Sequence, residues 1–279
     1  MKHAQRQSPQ AAPDAREATL RRLVREQGSA VTAFSGGIDS SLVAFIAHQE
    51  LGPRALAVTA DSPSLSRDDL ALARELAAAW GMAHRVIRTG ETARRDYRAN
   101  PVNRCYFCKS TLYGELATLA RAEGFAAVLN GTNRDDLGDH RPGLQAATEY
   151  GVLAPLAETG FHKGDIRALA RQLGLANADK PQAACLSSRV PYGTAISPEL
   201  LARIEAAEAL LRALGFGQLR VRHHGDVARI EVPPEDFPAL LARREQIDAK
   251  FRVLGYAYVT LDLKGFRSGA LNEVLPEGA

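Results

Sequence analysis

Hydrophobic and polar positions along the chain follow two rhythms in turn. From Asp14 the apolar positions Leu20, Leu23 and Val24 recur at helical spacing, with Asp14 placed to cap the first turn, and the pattern ends near Gly28. SAVTAF (29–34) is a short apolar run that meets Gly36-Gly37 and then a helical stretch from Ser40 to Leu51. ALAVTA (55–60) predicts a buried strand, 67–80 a helix, HRVIRT (84–89) a third strand, about 107–123 a helix, and AAVLN (126–130) a fourth strand. Apolar strands alternating with amphipathic helices predict parallel βαβ units, hence an α/β fold with helices on both faces of a parallel sheet. Ligands in such sheets collect at the carboxyl ends of the strands.

After Pro191-Tyr192-Gly193 the rhythm changes. A helix over about 198–213 is followed by two strand-like runs, QLRVRHH (218–224) and VARIEV (227–232), parted by the turn-prone pair Gly225-Asp226. A helix over 235–249 and the strand YVTLDL (258–263) complete a smaller α+β unit. The expected organisation is a disordered tail over 1–13, rich in Gln, Ala and Pro, a sheet domain over 14–193, and an α+β domain over 194–279.

Composition narrows the function classes. Hydrophobic residues are 46% and charged residues 24% of the 279, which excludes a largely disordered chain. Lys plus Arg is 35 against 32 Asp plus Glu, and the net charge of +3 comes without any Lys/Arg-rich block, which argues against a nucleic-acid partner. No run of ~18 apolar residues predicts a membrane span, and the N-terminus lacks the apolar core of a secretory signal. Three cysteines, an odd number, do not make a disulfide scaffold, so a reducing cytoplasm is expected.

Three motifs carry chemistry. SGGIDSS (35–41) follows a strand and opens a helix, so glycine backbone N–H groups, the helix N-terminus and the hydroxyls of Ser35, Ser40 and Ser41 can cradle a phosphate chain around Gly36, Gly37 and Asp39. The Walker lysine is absent. The plainer alternative is a glycine-rich turn that binds nothing. GTNRDDLGDHRPG (131–143) clusters Asp135, Asp136 and Asp139 with Arg141, a set that can hold Mg²⁺ and meet a phosphate, or simply a solvated loop. NRCYFCK and KPQAACLSSR contain the only cysteines, Cys105, Cys108 and Cys185. Three thiolates suit a [4Fe–4S] cluster with one iron left open, or a Zn²⁺ lacking its fourth ligand, or else are three unrelated small apolar side chains. If the three converge, the adjacent Lys109 and Arg104 are expected to help keep the thiolates ionised.

SGGxDSS resembles the pyrophosphatase-loop (PP-loop) adenylating enzymes, which implies an adenine nucleotide alpha hydrolase-like fold and α-phosphate chemistry yielding AMP and pyrophosphate. The same resemblance implies ATP over residues 35–41 with Gly131 and Arg141, and Asp39 near Mg²⁺–pyrophosphate. Together with RVRHHGDVARIEV (220–232) and LDLKGFRSGALNE (261–273), the motifs resemble the LarE family over about residues 15–275. That resemblance implies adenylation of the carboxylates of a pyridinium mononucleotide and their conversion to thiocarboxylates, as part of nickel-pincer cofactor biosynthesis. In some members the cysteine at the position of Cys185 gives up its sulfur. Members with the additional CxxC are thought to hold a [4Fe–4S] cluster that delivers sulfide from an outside donor, which would leave Cys185 intact. Lys109, Lys180, Ser188 and Arg189 are candidates for binding the substrate's carboxylates or phosphate. Glu208, Arg220, Arg222 and Glu231 match the family's substrate- or metal-contacting region, or else form surface salt bridges. The resemblance also implies a homo-oligomer, a hexamer being one form. A tRNA-thiolating enzyme, an ammonia-dependent amidating ligase and a non-catalytic nucleotide-binding module are the competing classes. The first lacks its basic patch here, the second has no use for three cysteines, and the third leaves the cysteine and aspartate loops unexplained.

Overall fold

A computed structural model describes residues 13–138, 142–181 and 184–267. Asp139 and Arg141, the tail before residue 13 and the end of the LDLKGFRSGALNE motif lie outside the described residues. The described residues divide into two compact units, those within 1–60, 70–87 and 112–182 forming the first and those within 61–69, 88–111 and 183–279 the second. The second unit thus draws three segments from the stretch before residue 194.

In chain order the elements before residue 180 are α1 (Pro13–Glu26), β1 (Ala30–Ala33), α2 (Ile38–Leu51), β2 (Ala55–Asp61), α3 (Arg67–Ala79), β3 (His84–Arg88), the single turn α4 (Arg95–Arg98), α5 (Arg104–Glu123), β4 (Ala127–Leu129), α6 (Pro142–Glu149), α7 (Pro155–Glu158) and α8 (Lys163–Gln172). Asp14 falls inside α1, because the helix already starts at Pro13, whose fixed φ and missing N–H suit a first turn. The first unit is built on a parallel sheet of strand order β3-β2-β1-β4, with Val31 facing Leu56 in one neighbour and Val128 in the other. Strands are added first to one side of β1 and then to the other. Right-handed crossovers therefore put α2 and α3 over one face and α5 over the other. Leu42, Val43 and Ile46 of α2 pack with Leu20 and Val24 of α1 and with Ile166 and Leu169 of α8, while Ala73, Leu76 and Ala77 of α3 close on Phe34 and Ala57. The reversal at β1 leaves the carboxyl ends of β1 and β4 splayed, which is where an open α/β sheet binds its ligand.

The second unit contains α9 (Pro198–Ala213), β5 (Arg220–His224), β6 (Val227–Glu231), α10 (Phe237–Ala242), α11 (Arg244–Val253) and β7 (Tyr258–Leu261). β5 and β6 form an antiparallel hairpin, and β7 joins β6 in parallel after the α10–α11 crossover. Leu211, Phe216, Val221, Ile230, Phe251 and Tyr256 make its core. The single helix expected over 235–249 is two. Pro234 opens a short 3-10 turn, and Arg243, at φ −105° and ψ 12°, separates α10 from α11.

Candidate active site

The SGGIDSS loop occupies the switch point at the end of β1 and leads into α2. Gly36 takes φ +71°, a conformation that costs an L side chain strain, with Ala73 atoms 3.4 Å from where its Cβ would stand. Ser40 Oγ accepts from the Ser35 N–H at 3.2 Å, lies 3.1 Å from Ser35 Oγ and donates to the Gly37 carbonyl at 3.0 Å, closing the loop on itself. Ser35 is exposed at the rim, whereas Ser41 is fully buried and accepts from Asn177 Nδ2 at 2.9 Å. Asn177 donates to the Gly36 carbonyl as well, also at 2.9 Å. Ser41 therefore anchors the loop from beneath, and the open donors are those around Ser35, Gly36 and Gly37.

The loop after β4 packs directly on this one. A Cβ on Gly131 would stand 2.5 Å from Ser40 N and 2.8 Å from the Asp39 carbonyl carbon, backbone atoms that cannot step aside separately. Gly131→Ala is therefore expected to push the phosphate loop off its position. Overpacking of this kind costs about 1–3 kcal/mol, and calorimetric titration should show ATP affinity falling by roughly tenfold or more.

Asp136 is buried, and its Oδ2 accepts from the Asn133 N–H while Lys163 Nζ stands 3.8 Å from its Oδ1. Burial, and then the charge of Asp136, push the Asp39 carboxyl above the ordinary carboxylate range; Lys163, Asn133 and Arg167 pull the other way. Asp39 and Asp136 are thus a like-charged pair faced by two cations from α8. Asp135 is engaged elsewhere, at 2.5 Å from His162 Nδ1 and 2.8 Å from the Lys163 N–H, where it caps α8. Lys163, Arg167 and Asn177 are functional candidates that sequence reasoning missed. Ile166, Leu169 and Ala170 at helical spacing after the capping pair His162 and Asp165 would have shown α8, but nothing local marks Asn177.

In the second unit Cys105, Cys108 and Cys185 lie near enough to influence one another electrostatically. α5 begins at Arg104 rather than near 107, which puts Cys105 and Cys108 three residues apart on its first turns, on one face. Cys105 and Cys185 are exposed and Cys108 half-buried, beside Leu186 and Tyr97. Among the described residues no set of three or more His, Cys, Asp or Glu converges on a point that would hold a single metal ion. For Cys108 burial opposes the ionisation that Lys109 and Arg104 are expected to help. Burial dominates, then the Glu91 carboxylate, and together they push the Cys108 thiol up to about 12 against the pull of Lys109.

The segment carrying Cys185 is clamped through its carbonyls by three buried arginines. Arg189 Nη1 donates to the carbonyls of Ala184 (2.6 Å) and Cys185 (3.0 Å), Arg104 Nη1 to that of Ser187 (2.9 Å), and Arg222 Nη1 to that of Ser188 (2.8 Å). Tyr97 Oη meets Ser187 Oγ at 2.5 Å, and Ser188 Oγ donates to the Cys185 carbonyl at 2.8 Å. Arg189 is paired with Glu208 at 2.8 and 3.0 Å and Arg222 with Glu231 at 2.9 and 2.9 Å, so these four candidate substrate residues have partners within the chain. Arg220 lies 5.0 Å over the Phe266 ring, and burial with Arg189 and Arg222 beside it lowers its pKa to about 10. Lys109 is exposed in this unit, and Lys180 is half-buried in the first.

Residues 14–132 match the asparagine synthase family profile. The chain is 47% identical to an uncharacterized protein of Synechocystis over 92% of its length and 96% of that protein's. It is 39% identical to the pyridinium-3,5-bisthiocarboxylic acid mononucleotide synthase of Lactiplantibacillus plantarum, over 93% of this chain and 95% of the synthase. The chain belongs to the LarE family. It is therefore a PP-loop enzyme that uses ATP. An uncharacterized protein of Methanocaldococcus jannaschii is 31% identical over 85% of this LarE chain and 90% of its own. Among the described residues no helix is long and apolar enough to cross a membrane.

Proposed function

We propose that this chain is an ATP-dependent sulfur transferase acting on pyridinium-3,5-biscarboxylic acid mononucleotide, with activation in the first unit and sulfur handling in the second. The observation that carries the reading is the pairing of a phosphate loop lacking the Walker lysine with three neighbouring thiols, in a chain similar end to end to the Lactiplantibacillus synthase. A carboxylate oxygen of the substrate attacks the α-phosphorus, the bond to the β-phosphate oxygen breaks, and pyrophosphate leaves. The N–H groups around Gly36 and Gly37, the α2 N-terminus, Lys163 and Arg167 take up the growing charge on the leaving group. Asp39 and Asp136 suit Mg²⁺, which commonly takes one or two carboxylates plus phosphate oxygens, and a divalent cation would relieve their mutual repulsion. Hydrosulfide then attacks the acyl carbon, AMP leaves, and the thiocarboxylate retains the sulfur while one proton is released.

Cys105, Cys108 and Cys185 would hold a [4Fe–4S] cluster, which when bound offers one iron without a cysteine for hydrosulfide. Their donor chemistry suits it, since soft thiol ligands favour iron–sulfur groups or Zn²⁺ over Mg²⁺. Such thiol chemistry belongs in a reducing cytoplasm. Radiolabel in the α-phosphate of ATP should appear in AMP in the presence of the substrate and sulfide, and each single Cys→Ser change should lose the iron while pyrophosphate release persists. ADP and inorganic phosphate as main products, or an amide formed from ammonia at equal rate, would sink the assignment. Cys185 turning into dehydroalanine without any need for iron would replace the cluster route by a sacrificial one.

A further inference from the structure

Of the three arginines that hold the Cys185 segment, two are neutralised within the chain. Arg189 has Glu208, and Arg222 has Glu231. Arg104, 3% exposed, gives Nη1 to two uncharged acceptors, Asn100 Oδ1 at 2.6 Å and the Ser187 carbonyl at 2.9 Å. Among the described residues no carboxylate pairs with it. The Tyr192 ring lies 5.9 Å from the guanidinium carbon. The buried acid Glu91 accepts from Ser64 Oγ at 3.2 Å.

A guanidinium removed from water without a carboxylate partner is expensive, and its rigid fork of donors is suited to meeting an anion. A three-thiol site collects negative charge of that kind, as thiolates bound to a metal–sulfur group and as hydrosulfide. We propose that Arg104 is the resident counter-cation of the three-thiol site, a positioning residue that pairs with its bound anionic group and makes hydrosulfide, an anion, the form of sulfur the site accepts. The proposal deepens the sulfur-transfer reading and rests on it.

The test uses the full chain, parent, Arg104→Gln and Arg104→Lys, reconstituted with iron and sulfide without oxygen. Iron content, the midpoint potential and the dissociation constant for added sodium sulfide are then measured, with circular dichroism as the check on folding. Arg104→Gln should bind sulfide about tenfold or more weakly, the range expected when a group supporting a metal site is removed, and its midpoint should move to more negative potential. Arg104→Lys, which keeps the charge, should load iron as the parent does and stay near the parent in both quantities. A Gln variant with the parent's potential and sulfide affinity overturns the proposal. So does a folded Lys variant that loses the iron, and that arm decides the matter if Arg104→Gln fails to fold. A parent protein that takes up neither iron nor sulfide overturns the metal-centre reading and this proposal with it, whereas a loaded parent with unaffected variants overturns only the role of Arg104.

Discussion

Asp39→Asn should abolish pyrophosphate release, by about a hundredfold or more, while leaving the chain as stable as the parent or more so. Loss of one preorganised electrostatic contact to a developing charge costs on the order of 10²–10³ in rate, and here the residue also forms half of the acidic pair suited to Mg²⁺. The stability half follows from linkage. Burial and Asp136 raise the Asp39 pKa in the folded chain, so in the window between the unfolded and folded values the folded state binds more protons. Stability contributed by Asp39 therefore falls as pH rises through that window, and above it the ionised group is a net burden that Asn removes. Activity should show the mirror image, declining as pH falls, from an apparent pKa above the usual carboxylate range. Thermal unfolding and a pyrophosphate assay across pH check both halves. A variant that is inactive because it is less stable than the parent at neutral pH would contradict the assignment.

The elements that the sequence places well are those whose signals are local. β1, β2 and β4 are short apolar runs ended by Gly or polar residues, and each lies within two residues of its expected span. α9 starts where Ser197 caps and Pro198 follows, and Ser197 Oγ does accept from the Leu200 N–H at 3.2 Å. Properties decided by distant packing were not legible. A CxxC flanked by Arg104 and Lys109 reads as thiols helped toward ionisation, because charge is visible in a sequence and burial is not, and at Cys108 burial wins. Arg189 reads as a candidate for substrate and Arg222 as either that or a surface salt-bridge partner. Which holds is not visible locally, because their partners are 19 and 9 residues away and only the fold brings Glu208 and Glu231 to them, in a buried rather than a surface setting. Asn177 holds Gly36 and Ser41 from 141 and 136 residues away, a distance over which no local pattern carries information.

Glu231→Ala should destabilise the second unit by about 3–5 kcal/mol, the range found when one partner of a buried ion pair is removed. Glu231 is fully buried in β6 and takes both Nε and Nη2 of Arg222, at 2.9 Å each, from the adjacent strand, with Arg229 at 3.2 Å as a third contact. Removing the carboxylate leaves the Arg222 guanidinium, 6% exposed, without its charge partner in a site too dry to solvate it. The loss should not stop at the hairpin. Arg222 also holds the Ser188 carbonyl, three residues from Cys185, so an arginine that swings toward water releases one of the three clamps on the cysteine segment. Glu231→Ala should therefore lower iron loading as well as the melting temperature. The double change Arg222→Met with Glu231→Met separates the two effects. An apolar pair of similar volume often costs little or even stabilises, so the fold should recover much of its stability while the Ser188 contact stays lost. Chemical denaturation of the two variants beside their parent gives the comparison. A Glu231→Ala chain that unfolds at the parent's denaturant midpoint would show that water reaches Arg222 and that the pair is not the clamp described here.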